Sequence, residues 1–218
     1  MSFQVWWALT LALVASPALG FERLGVALDA LAENGQLSGE QWIDASRIDE
    51  SFEYTGAALS GSAWLLFKSG DRLRWGPGVR IHGRYAYPNE FDFGFLSDAF
   101  LLADYSLPIF AQWFLTLGGR AGMQVLIPGG DLGREISRLQ ADGVGVWSVP
   151  RVGWLAGVSV GVRRQLIGRL HLKFDFTGQV GQLFLFATDE RVEELRFRKY
   201  WNTWSQRLSA TLGLELTL

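Results

Sequence analysis

The sequence predicts an all-β protein: eight antiparallel strands running up and down, closed into a transmembrane barrel. Three observations predict it. Apolar and polar residues alternate for seven or eight consecutive steps in most segments, so each strand has one face in an apolar medium and one in a polar one. The polar face is rich in Gly, Ser and Thr with single charges between them, unlike the Lys/Glu-dense face of a solvated sandwich. The connections alternate between long polar stretches and short turns, the short connection after strand 3 being the exception, as in a barrel with loops at one end and tight turns at the other.

Composition narrows the class. The chain has 218 residues, enough for one domain, with 49% hydrophobic and 19% charged residues and a mean hydropathy of +0.13. Beyond the N-terminus no run approaches the roughly 20 apolar residues of a spanning helix. A net charge of −2 gives no broad basic field for nucleic acid. Zero Cys and two His exclude a disulfide framework and a Cys-based zinc site. No metal or other cofactor is expected.

Residues 1–20 read as a secretory signal. Val5 to Ala15 has the length of an apolar signal core, and Ala18-Leu19-Gly20 offers small residues for cleavage before Phe21. The n-region, Met1 to Gln4, carries no Lys or Arg. The expected mature domain is 21–218.

Strand 1 is Phe21 to Glu33, with Leu24, Val26, Leu28 and Ala30 on one face. Residues 34–52 are polar and read as a long loop. Strand 2, Glu53 to Ser69, sets Leu59, Leu65 and Phe67 against Ser60, Ser62 and Trp64, and Gly70-Asp71 turns it. Strand 3, Arg72 to Tyr87, sets Trp75, Val79, Ile81, Tyr85 and Tyr87 against Arg74, Arg80, His82 and Arg84. Pro88 to Glu90 is a turn. Strand 4, Phe91 to Tyr105, alternates less cleanly: Phe91, Phe93, Phe95 and Tyr105 oppose Asp92, Gly94, Asp98 and Asp104. Ser106 to Pro108 is the next turn. Strand 5, Ile109 to Ile127, sets Trp113, Leu117 and Met123 against Thr116, Arg120 and Gln124. Residues 128–143 form a second long loop. Within it Asp131, Leu132, Ile136 and Leu139 have helical spacing and Gly143 can end a helix, so the stretch is either a lid or a surface loop. Strand 6 is Val144 to Arg163, followed by a turn over 164–168. Strand 7 is Arg169 to Ala187. Residues 188–200 are a third long, charged loop. The final strand, from Trp201, places Trp204, Leu208, Leu212, Leu214, Leu216 and Leu218 on one face and Arg207, Thr211, Gly213 and Glu215 on the other. Pro77 and Pro150 each remove a ladder donor, which predicts a bulge at both.

Aromatics lie near strand ends on the apolar face: Trp75, Tyr105 and Trp113 toward the turns, Tyr85, Tyr87 and Trp204 toward the loops. They suit the girdles at two lipid–water interfaces. Trp154, mid-strand on the same face, does not.

Taken together, the signal, alternating strands, loop asymmetry and last strand resemble those of small Gram-negative outer-membrane β-barrel proteins of the eight-stranded type. The resemblance covers the whole chain. It implies an outer-membrane location, with lipid, lipopolysaccharide and the barrel-assembly machinery as partners. It also implies an assembly signal in the last strand, which Thr211, Gly213, Leu216 and Leu218 match; the usual terminal aromatic is replaced by Leu218.

Three roles follow. The polar faces carry Arg74, Arg80, Asp98, Asp104, Arg120, Lys173, Asp175, Arg207 and Glu215. Regular register puts Arg80 opposite Asp98 and Arg74 opposite Asp104, and folding strands 7 and 8 together brings Lys173 near Glu215, for which Arg23 competes. Such charges need partners. They form either a salt-bridged plug, giving a structural or surface-interaction protein, or a narrow path for ions and small solutes. Lipid-modifying catalysis is the third role; it needs a positioned His or carboxylate pair, and the sequence shows no acidic partner at matching spacing for His82 or His171. Arg191, Arg196, Arg198 and Lys199 suit phosphate groups, or simply keep a loop in water.

Overall fold

A computed structural model describes residues 20–87, 91–192 and 194–218. Eight strands close a barrel in chain order: β1 (Phe21–Ile43), β2 (Ser46–Lys68), β3 (Leu73–Tyr87), β4 (Phe91–Phe110), β5 (Trp113–Pro128), β6 (Arg151–Ile167), β7 (Leu170–Val192) and β8 (Leu195–Thr217). A helix, α1 (Gly130–Ala141), lies between β5 and β6. All neighbours are antiparallel, and β8 pairs with β1 to close the sheet. Closure satisfies the backbone where no water reaches it. The expected leader and the 88–90 turn lie outside the described residues.

The outward face is an apolar belt. Leu28, Leu59, Val158 and Leu208 are 69–78% exposed, among many exposed Val, Ile and Phe side chains. A surface of this kind is stable against lipid, not water. Trp75 and Tyr105 rim the belt at the end bearing the 111–112 and 168–169 turns. Trp113 stands there too, with Arg164 above its ring. Trp204 rims the opposite end, and Trp154 joins it. β6 starts at Arg151, so Trp154 is level with Trp204, their rings 5.4 Å apart. It therefore belongs to the girdle.

Several boundaries differ from expectation. Among the described residues, 34–52 and 188–200 are strand except for the turns at 44–45 and 194. β1, β2, β7 and β8 thus continue far past the belt as one hydrogen-bonded sheet. The reason is an inversion of polarity. Within the belt, β8 turns Arg207 and Glu215 inward and Leu208 and Leu214 outward; above it, Phe197 and Trp201 turn inward and Asn202 outward. The period of two persists while its sign flips, and the outward polar residues give the sequence the look of a loop. The β4–β5 turn falls at 111–112 instead of 106–108, and the β6–β7 turn at 168–169. Residues 144–150 precede β6 instead of beginning it.

Tyr85 faces inward, not toward lipid. The bulge in the β3–β4 ladder between Ile81 and Gly83 adds His82 to β3, and the shift carries Tyr85 to the other face. Gly94, at φ +119°, takes the matching irregularity in β4 and leaves Phe93 inside and Phe95 outside. The side chain of Tyr87 lies outside the described set. Neither proline makes a bulge. Pro77 stays in register with Leu101, and β2–β3 pairing is interrupted opposite it, since it has no N–H to give. Pro150 stands just before β6.

Candidate functional site: the filled lumen and its apolar cap

The inward faces fill the barrel in layers. Nearest the turns, Glu215 is fully buried and takes Arg23 at 3.4 Å, Arg163 at 3.5 Å, Lys173 at 3.8 Å and the Trp64 Nε1–H at 3.1 Å. Asp104 takes Arg163 at 3.2 Å and Lys173 at 3.3 Å, and Asp175 takes Lys173 at 3.1 Å. Thr116 donates to Asp175 at 3.0 Å. The middle layer pairs Arg80 with Asp29 at 3.2 Å, and Thr211 donates to the same carboxylate. Arg120 donates to Thr177 at 3.1 Å and lies over the Phe100 ring. The upper layer joins Arg207 to Glu33 at 2.9 Å, Tyr85 Oη–H to Glu33 at 2.6 Å, and His82 Nε2 to Asp98 at 2.8 Å.

All nine charges named from the sequence point into this lumen. Their partners are partly different. Arg80 is in register with Asp98, and Arg74 with Asp104, yet Arg80 reaches Asp29 and Arg74 reaches Glu22 at 2.8 Å. Long guanidinium side chains cross a narrow lumen as easily as they bridge adjacent strands. Asp98 instead takes His82 on one oxygen and has Arg207 at 3.9 Å from the other, so His82 does have an acidic partner, contrary to expectation. The β3 bulge at His82 brings the pair together. It is buried, with side-chain exposures of 6% and 1%. The Lys173–Glu215 approach and the competition from Arg23 are both present. Of the assembly-signal residues, Thr211 and Gly213 face the lumen while Leu216 lies on the outer face, half-buried.

Above the last charged layer the filling turns apolar. Leu37, Phe93, Leu96, Leu126, Leu132 and Leu185 are fully buried in one cluster with Tyr54, Tyr85, Ile136, Leu139, Val144, Val146, Phe197 and Trp201. Helix α1 supplies Leu132, Ile136 and Leu139 from one face, as their spacing predicts. The helix is a lid, not a surface loop. It ends in a Schellman motif: Val144 N–H donates to Leu139 C=O and Gly143 N–H to Gln140 C=O, with Gly143 at φ +81°. Its first turn is anchored by Asp131, whose carboxylate accepts the Asp92 N–H at 2.8 Å and the Arg134 guanidinium. The Asp92 N–H, followed by Arg134, holds the Asp131 carboxyl below its usual range.

A cleft of about 830 Å³ lies between α1 and the projecting hairpins, lined by Ile43, Glu50, Arg138, Leu195, Lys199 and Trp201 among others. Lys199 is buried there, bonded to Glu135 at 2.7 Å and 4.0 Å from the Trp201 ring centre. Arg196 is bound to Asp189 at 2.7 Å, and Arg198 lies over Trp42. Three of the four cations expected to meet phosphate are thus engaged within the protein.

No protein-family model matches the chain, and no curated protein does. Solved structures with a similar course include Neisserial surface protein A, with a TM-score of 0.45, 15% identity, and coverage of 87% of this chain and 97% of that one. The outer membrane protein OprG from Pseudomonas aeruginosa gives a TM-score of 0.40 at 8% identity, covering 90% and 96%. Ail of Yersinia pestis, solved with a heparin analogue, gives 0.30 at 8% identity, covering 85% and 98%. At these scores the fold rests on the strand pairing itself.

Proposed function

We propose that the protein is an integral outer-membrane barrel with a closed lumen, acting as a structural or surface-interaction protein through the sheet that projects beyond the membrane. The observation that carries this is the apolar cap. An ion-conducting path needs continuous polar lining, and here the charged layers end beneath fully buried Leu37, Phe93, Leu96 and Leu126. The charged layers themselves are bonded across the lumen, which suits a plug more than a channel. The belt of exposed aliphatic side chains between two aromatic rims supports a bilayer location, and the tight turns and both termini then face the periplasm. Outer-membrane lipid, lipopolysaccharide and the assembly machinery are the partners this reading entails. Conductance in planar bilayers tests it. The expected record is flat; regular ohmic steps from purified protein would overturn the closed lumen.

A further inference from the structure

We propose that the free edge of β2 beyond the membrane, residues 46–53, captures an extended cationic peptide segment as an added strand. This rests on the surface-interaction reading above and names its partner chemistry.

In the projecting sheet β1 lies between β2 and β8, and β8 between β1 and β7. The outer edge of β7 is met by the segment before β6, where Gly145 N–H donates to Glu190 at 2.6 Å. β2 differs. Its last pair with β3 is Gly61–Ile81, while its pairing with β1 continues unbroken to Ser46. Carried upward, the β2–β3 register brings Tyr87, the last residue of β3, level with about Thr55. Residues 46–53 therefore rise past β3, paired to β1 on one side and to no strand on the other among the described residues. Alternate residues of such an edge direct N–H and C=O away from the sheet, a ready template for another strand.

Exposed edges are commonly blunted by Lys, Pro or a bulge. The stretch 46–60 has no Lys and no Pro, and its register with β1 is regular. It is also held in place. Phe52 and Tyr54 pack into the aromatic group with Phe91 and Phe93. The 44–45 turn is clasped to β8, with Asp44 N–H donating to Arg196 C=O at 2.9 Å and Arg196 N–H to Asp44 Oδ1 at 2.8 Å. A pre-ordered edge lowers the ordering cost of binding.

The charges choose the partner. Asp49, Glu50 and Glu53 stand on this edge against Arg47, whose guanidinium already bonds Asp49 at 2.7 Å and Glu40 at 3.2 Å. A second copy laid edge to edge would oppose carboxylate to carboxylate, which is unfavourable. A strand bearing Lys or Arg would not.

The test uses the refolded full-length mature chain in lipid nanodiscs with an end-blocked alternating Lys–Val peptide. Binding is expected to shift the backbone amides of 47–53 and slow their hydrogen exchange. An alternating Lys–Pro peptide of equal length and charge lacks donors on every second residue. It should bind at least about tenfold more weakly, the equivalent of one net hydrogen bond. The double variant Asp49→Lys with Glu53→Lys should weaken the Lys–Val peptide by a similar factor while keeping the native gel mobility. Equal binding of the two peptides, shifts confined to other residues, or a peptide-independent dimer protecting the same amides would each overturn the proposal. Conductance steps alongside intact peptide binding would overturn the closed lumen alone. A silent lumen with no peptide binding would overturn this inference alone.

Discussion

At the residue scale the lumen depends on Glu215. It is the shared anion of Arg23, Arg163 and Lys173 and the acceptor for Trp64. Removing one partner from a buried ionic cluster costs about 3–5 kcal/mol. Glu215→Gln is therefore expected to lower stability by that order, measured by guanidinium unfolding in lipid vesicles. The exposed Asp49→Asn should stay within about 0.5 kcal/mol. A second residue-scale device is the glycine beneath an inward aromatic. Gly39 is paired directly with Trp201 and Gly35 with Tyr54, and a Cβ at either would overlap the ring. Gly39→Ala should cost about 1–3 kcal/mol by overpacking. Gly61→Ala, with open space around it, should not. Arg207 and Glu215 were legible as lumen residues because parity in β8 is unbroken. Tyr85 was not, because a bulge adds a residue without leaving any compositional mark.

The elements are less legible in the sequence where they leave the apolar belt. Residues 34–43 and 195–200 keep the strand period, but a sign change in polarity at the bilayer surface looks, in one dimension, like the start of a solvated loop. Helix α1 was legible from Leu132, Ile136 and Leu139; what they pack against was not, since Leu37, Phe93 and Leu185 come from three distant strands. The lid should respond to acid. Asp131 has a depressed pKa, so its contribution is fully present above the usual carboxylate range, about 3.9, and is lost as pH falls through the depressed value. Hydrogen exchange of α1 amides is expected to accelerate at low pH before the barrel strands respond. Asp131→Asn should show the fast exchange already at neutral pH.

For the whole molecule, two fillings share one lumen: bonded charges toward the turns, and an apolar core of water-soluble type beneath the lid. The double variant Leu132→Ser with Ile136→Ser is expected to open the upper filling and raise bilayer conductance above the silent native level, while heat-modifiable gel mobility still reports a closed barrel. If conductance stays silent in the folded variant, the charged layers alone close the path. Barrel closure, strand number and the lipid-facing set away from the β3–β4 bulges are legible in the sequence, because closure follows from the ban on open edges in lipid and face from parity; Tyr85 and Phe93 are the exceptions. The narrow lumen is what hid the true ion partners, since Arg80 and Arg74 each pass over the carboxylate in register to reach another.

The seam between β1 and β8 runs from Arg23–Thr217 to Ile43–Phe197 without a shift, and Leu218 N–H still donates to Glu22 C=O at 2.8 Å. The β2–β3 seam holds only at 61–64 and 67–68. The first and last strands of the barrel thus meet at one of the firmest joints, while the loosest lies between β2 and β3. A circular permutant follows from this: join Leu218 to Phe21 through a short linker, and begin the new chain at Asp71. It should still assemble, with its new ends on the joint that contributes least.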